Sequence, residues 1–114
     1  MNNKPTDKEL LEKAAKAAFG ITATTAIESG WNPLTDDGDA LRLAVKLEIS
    51  VDTSEYLMVG EFAGFGEYEK CTDAWHVNRH TAEIISIKEI HGDDPYAATR
   101  RAIVRAAAEI GKTL

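Results

Sequence analysis

Cys71, His76 and His80 are the soft-ligand side chains that fall close together along the sequence, and the chemistry they would do is zinc binding through a thiolate and two imidazoles. His76 and His80 stand four apart, a spacing that puts both rings on one face of a helix. The residues around them lean towards strand, a fourth ligand would have to be Asp73, His91 or a glutamate, and there is no paired-cysteine knuckle. No metal centre is therefore expected. Read as a nucleophile and base, the same trio lacks oxyanion donors and an orienting group. Gly60, Gly64 and Gly66 do not make a phosphate cradle, because Glu67, Glu69 and Asp73 follow them where a helix N-terminus is needed. The stretch TDDGD at 35–39 lacks the downstream bidentate glutamate of a calcium loop. With no complete constellation, a non-enzymatic protein without a cofactor is expected.

The other chemistry-bearing group lies on the last segment, GDDPYAATRRAIVRAAAEIGKTL, which carries Arg100, Arg101, Arg105 and Lys112. Asp93 and Asp94 can cap a helix, Pro95 suits its first position, and Gly111 is placed to close it. At about 100° per residue, Tyr96, Ile103, Ala107 and Ile110, with Thr99 and Val104 at the margins, share one arc that is expected to be buried. Arg100 falls inside that arc. A guanidinium there needs a carboxylate or carbonyl partner, and Asp39 is expected to supply it. Arg101, Arg105 and Lys112 form a stripe on the opposite side, expected to be a solvated surface with an Arg105–Glu109 pair.

The elements that must position these groups follow from cap and period signals. Met1–Pro5 is expected to fray. Thr6 and Glu9 form a capping box for a helix over Asp7–Phe19, before Gly20. The next stretch, ITATTAIESG, fits a short strand or an irregular connector. Trp31-Asn32-Pro33 opens a loop, in which the indole covers the edge of a small core. Asp36 and its neighbours then start a second helix that runs to about Leu47, with Ala40, Leu43, Ala44 and Leu47 as its core face. From Leu47 to Val51 the period becomes that of a half-buried strand. Asp52–Glu55 reads as a turn and Tyr56–Phe62 as a strand, with a long excursion over FAGFGEYEKCTDAW. A third strand is placed around Trp75–Val77 and a fourth at Glu83–Ile90. The expected fold is α+β over a single domain, 1–114: two N-terminal helices, an antiparallel sheet of three to four strands, and a C-terminal helix packed on the sheet.

Composition narrows the partners. The formal charge of −6 and pI near 5.0 disfavour broad binding to a phosphate backbone, which needs a basic surface. No stretch approaches a membrane span, the N-terminus has no secretory pattern, and the single cysteine fits a reducing compartment, so a cytoplasmic location is expected. Phe62, Phe65, Tyr68 and Trp75, interleaved with Glu67 and Glu69, read as an acidic and aromatic contact surface.

Two blocks, WNPLTDDGDALRLAVKLEISV (Trp31–Val51) and DDPYAATRRAIVRAAAEIG (Asp93–Gly111), together resemble the pattern of small phage and prophage proteins of the NinX-like group. In that group an aromatic-x-Pro loop with acidic residues enters a helix, a strand follows, and a Pro-initiated helix with arginines among alanines closes the chain. The resemblance implies a phage accessory product acting in the bacterial host cell, with no activity to carry over. The leading expectation is an anti-CRISPR-like inhibitor that binds a host defence protein, such as a nucleic-acid-binding effector, through the acidic and aromatic surface. A second is a sponge for a nucleotide immune signal, held by Arg100, Arg101 or Arg105 at the subunit interface of a homodimer. A third is a double-stranded RNA-binding-like module, disfavoured by the acidic total.

Overall fold

The structure, a computed structural model, describes residues 4–62 and 64–114, and among the side chains of these it leaves Phe62 aside. The expected fraying of Met1–Pro5 falls largely outside the described residues. Helix α1 spans Asp7–Phe19 and begins with the capping box: the Thr6 hydroxyl accepts from the Glu9 amide at 3.1 Å while the Glu9 carboxylate faces back to the Thr6 amide. ITATTAIESG is neither strand nor irregular connector. It forms a 3-10 turn at Gly20–Thr22 and a six-residue helix, α2, at Ala23–Glu28. Among the described residues no strand pairs with it, so local hydrogen bonding overrides the β-branched preference.

Helix α3 spans Asp37–Lys46, capped by the Asp36 carboxylate on the Asp39 amide at 2.7 Å, and it buries Ala40, Leu43 and Ala44. The strand expected from Leu47 begins at Ser50 instead. Leu47 and Glu48 belong to the helix end, where the Ile49 amide donates to the Ala44 carbonyl at 2.8 Å and Glu48 takes a φ of 54°. This is a Schellman ending with glutamate in the left-handed position that glycine usually fills, which is why it does not read as a stop signal.

The sheet is an antiparallel meander, β1 (Ser50–Phe62), β2 (Phe65–Val77) and β3 (Ile84–Ile90), in the order β1-β2-β3. The turn expected at Asp52–Glu55 is a bulge within β1. There the Asp52 carboxylate accepts from both the amide and the hydroxyl of Ser54, at 2.8 and 2.7 Å, so an acceptor of the kind that makes turns here satisfies an extra residue in the ladder. The long excursion expected over FAGFGEYEKCTDAW is likewise corrected. From Phe65 onward the stretch is β2, paired with β1 from Phe62↔Phe65 to Ser50↔Trp75, with Gly64 at a φ of 84° in the connection. A second irregularity, between Met58 and Gly60, also adds its extra residue to β1, so β2 alternates evenly along its length.

Helix α4 spans Pro95–Lys112 and packs against β2, β3, α1 and α3. It buries Ala98, Ala102, Ile103, Val104, Ala106, Ala107, Ala108 and Gly111, far more of its circumference than one arc. A helix enclosed on several sides needs small residues all round, which the alanines supply. Two expectations fail here. Tyr96, assigned to the buried arc, is 72% exposed. Gly111 does not end the helix, which is capped at Thr113; it is buried, and a side chain on it would run into the Lys13 carbonyl group of α1.

The α+β class is as expected, with the helices on one face of the sheet around a core that joins Leu10 and Ala14 of α1, Leu43 of α3, Ala74 of β2, and Ile103 and Val104 of α4. No helix among the described residues is long and apolar enough to cross a membrane.

Candidate functional site

Two surfaces stand out from this frame. The first is the outer half of the β1–β2 hairpin. A 13-residue strand is about 43 Å long at the usual rise, more than the helical layer can cover. The molecule accordingly extends 53 Å in one direction against 33 and 32 Å in the others. Tyr56, Met58, Val59, Phe65 and Tyr68 are all exposed there, Phe65 at 77% and Tyr68 at 60%. Even alternation along β2 puts Phe65, Glu67 and Glu69 on one face and Tyr68 on the other, where its ring lies against Gly66. From Ser50 to Glu69 the charged residues are Asp52, Glu55, Glu61, Glu67 and Glu69, with no lysine, arginine or histidine among them. Five of the chain's 19 acidic side chains thus fall on this apolar and aromatic stretch, which meets no cation before Lys70.

The projection carries Phe65, Glu67, Tyr68 and Glu69 of the expected contact surface, but on two faces: Phe65, Glu67 and Glu69 on one and Tyr68 on the other. Phe62 sits at the end of β1, but its side chain lies outside the described residues. Trp75 is not part of this projection. It is half-buried further along β2, opposite Ser50 and Ser86, on the sheet face turned away from the helices. Trp31 packs edge-on against Phe19 with ring centroids 5.2 Å apart, as a tryptophan closing the border of a small core does.

The second surface is a groove of about 610 Å³ between α3, α4 and the sheet. Ala40, Leu41 and Ala44 of α3, Val51 of β1 and Ile103 of α4 make it mainly apolar. Lys70, His91 and Thr53 approach from the strand side, and Asp37, Arg100 and Tyr96 from the helix side. Behind its wall lies the fully buried Thr72 hydroxyl, which is hydrogen-bonded to His91 Nε2 at 2.8 Å and to the Thr99 hydroxyl at 2.7 Å. The main chain holds the same place together, the His91 amide donating to the Lys70 carbonyl at 2.9 Å. No sequence pattern foretells this cluster, since Lys70, Thr72, His91 and Thr99 meet only when β2 and α4 pack.

The arginines of α4 have structural partners. Arg100, with its side chain 18% exposed, donates from Nε to the Leu34 carbonyl at 2.8 Å and from a terminal nitrogen to Asp37 at 2.7 Å. Its partner is thus Asp37 and not Asp39. The Asp39 carboxylate is already taken by the Asn32 amide at 2.9 Å and by Arg42 at 2.8 Å. The Asn32 bond, followed by the burial that opposes it and then Arg42, leaves Asp39 below the usual carboxylate range. That contribution is present above the ordinary carboxylate pKa and is lost as pH falls through the lowered one. The stripe expected to be solvated is also engaged. Arg101 reaches Asp7 at 3.0 Å and Glu89 at 3.6 Å, Arg105 pairs with Glu89 in place of Glu109, and Lys112 takes Glu109 at 2.8 Å.

These contacts separate two roles at Arg100. Asp37 is 73% exposed, so its ion pair is worth little, whereas the Leu34 carbonyl lies in the half-buried joint between α4 and the 31–36 loop. Asp37→Asn is expected to cost under about 0.5 kcal/mol. Arg100→Leu is expected to cost about 2 kcal/mol, because it leaves that carbonyl without its donor. Urea melts of the two variants check this; equal losses would mean that the ion pair carries the joint.

Cys71, His76 and His80 are not brought together. Alternation places Cys71 with Asp73 on the open face of the sheet, His76 with Thr72 and Ala74 on the helix face, and His80 in the exposed β2–β3 turn, where the Asn78 side chain accepts from the His80 amide. Cys71 is buried, and burial pushes its thiol up from the ordinary value. Among the described residues no group of three or more His, Cys, Asp or Glu is placed to hold a metal ion.

Fold and surfaces define an α+β protein whose helices cover one face of a three-stranded meander and whose central hairpin projects beyond them. No protein-family model, curated protein or solved structure matches the chain. Its function is read from the hairpin and the groove.

Proposed function

We propose that the protein is a non-enzymatic binding module that docks a basic protein partner through the projecting β1–β2 hairpin. The observation that carries this is the joint exposure of Phe65 and Tyr68 on a segment whose charges are all negative from Ser50 to Glu69. Aromatic side chains give large contact area at small entropic cost, and surrounding carboxylates steer a cationic surface into place and reject anionic ones. With the resemblance to small phage proteins, the partner is a host defence factor with a nucleic-acid-binding groove, whose phosphate-binding cations the hairpin carboxylates would occupy. The nucleotide sponge and duplex-RNA readings draw less support. Arg101 and Arg105 are held by Asp7 and Glu89, and the net charge of −6 disfavours an extended phosphate backbone.

The test pairs Phe65→Ser with Tyr68→Ser. Both side chains are exposed, so melting is expected to stay within about 0.5 kcal/mol of the wild type. Affinity for a partner recovered from bacterial lysate and measured pairwise is expected to fall on the order of thirtyfold, as for paired aromatic hot spots. Association is also expected to slow with added salt. Recovery of the same partner at unchanged affinity by the double variant would exclude the hairpin as the docking surface.

A further inference from the structure

We propose that the groove between α3, α4 and the sheet is a second binding site, built for a small heterocyclic phosphate of mononucleotide size, with the phosphate at Lys70 and His91. The site is independent of the hairpin tip. Its volume of about 610 Å³ lies within the range of small-ligand pockets, and a mainly apolar lining with a few placed polar groups is their usual make-up.

The anionic end follows from the cations. Lys88 is held by Asp73, Arg100 by Asp37, and Arg101 and Arg105 by Glu89. Lys70, by contrast, has no hydrogen-bond or ion-pair partner for its ammonium among the described residues, although it lies in an acidic protein and lines the groove. The His91 ring, which lines the same groove, is held in place by the buried Thr72 hydroxyl. That hydroxyl has one proton for two contacts, so it donates to either His91 Nε2 or Thr99 and accepts from the other. In the arrangement where Thr72 donates to Nε2, His91 Nδ1 carries the proton, makes no hydrogen bond among the described residues and can donate to a phosphate oxygen. An ammonium and an imidazole that line one groove, from residues tied by the His91 amide on the Lys70 carbonyl, form a prepared seat for phosphate oxygens.

The heterocyclic end follows from the rest of the lining. Ala40 and Ala44 line the groove with small side chains that leave room for a ring, and Tyr96, exposed at the rim, can lie over one placed there. Asp37 has acceptor capacity beyond its bond to Arg100, which suits the hydroxyl or amino groups of a nucleoside. A purely apolar guest would use the floor and leave Lys70 and His91 unanswered; inorganic phosphate would do the reverse.

The experiment is a 15N-edited NMR titration of the full chain with each of the four ribonucleoside 5′-monophosphates, the matching nucleosides, and inorganic phosphate. At least one monophosphate is expected to shift the amides of Val51, Thr99 and Ile103 at millimolar concentration or below. Its nucleoside and inorganic phosphate are each expected to bind at least tenfold more weakly. Lys70→Gln, at an exposed position, is expected to lower the affinity about tenfold, the effect of one charge-assisted contact, with Lys70→Arg restoring it. The Phe65→Ser, Tyr68→Ser double variant is expected to bind the monophosphate as the wild type does, which keeps this site distinct from the docking hairpin. No shift with any monophosphate, equal binding of nucleoside and monophosphate, or shifts confined to residues outside the groove would overturn the assignment.

Discussion

Gly111→Ala is expected to lower stability by about 2 kcal/mol, the net of two opposing effects. Removing glycine from a helix interior stabilises it by about 1 kcal/mol. Against this, the new methyl would overlap the Lys13 carbonyl oxygen and stand 3.0 Å from its carbon, so α1 and α4 would have to separate at this contact. Overpacking against backbone of this kind costs about 3 kcal/mol, and the obstacle cannot rotate away. For a domain of this size the net loss corresponds to a fall in melting temperature of roughly 8 °C, readable by calorimetry. Gly66→Ala is the control. Its methyl would come within 2.8 Å of the Tyr68 ring, the far end of an exposed side chain that can swing aside, and the expected loss is under about 1 kcal/mol. An unchanged melting temperature for Gly111→Ala would show that the contact between the two helices is loose.

Thr72→Val is the second large effect, also about 2 kcal/mol. The substitution keeps the side-chain volume in a fully buried place and deletes only the hydroxyl, so it isolates the two hydrogen bonds to His91 and Thr99, each worth about 1 kcal/mol net. Thr72→Ser does the converse: it keeps the hydroxyl, loses one methyl and is expected to cost about 1 kcal/mol. Chemical denaturation of the pair decides between them. If the serine variant were the less stable of the two, packing and not hydrogen bonding would hold β2 to α4. Because Thr72 also fixes the His91 ring, its valine variant is expected to weaken phosphate binding in the groove along with stability.

Local signals in the chain predicted local structure well. Thr6 and Glu9 start α1, Asp36 starts α3, Asp94 and Pro95 start α4, and all three begin within a residue of where their caps place them, because a cap is a contact among neighbours in sequence. The alternation of Ile85 and Ile87 with Ser86 and Lys88 likewise reads directly as β3. The glycine-rich and acidic run over 60–73 hides β2, whose stability comes from ladder bonds to β1 and β3 and not from its own residues. The aromatic and acidic residues of the hairpin were legible as a contact surface from their types. That they project beyond the helices depends on the length of two strands paired in register.

The α+β class, the helix starts, the acidic character of the chain and the need of Arg100 for an oxygen partner are all written in local residue patterns. Which oxygen that is depends on packing between distant elements. Asp37 and Asp39 differ by two positions, about 200° around α3, so only the way α3 and the 31–36 loop pack on α4 chooses between them. Such packing also turned Gly111 from a helix terminator into a helix contact, and it assembled Lys70, Thr72, His91 and Thr99 into one wall. The physical reason is common to all three. Capping and periodicity act over a few residues and leave their marks in adjacent letters, whereas partner choice and site assembly depend on side chains that meet only after distant elements have buried their apolar faces against each other.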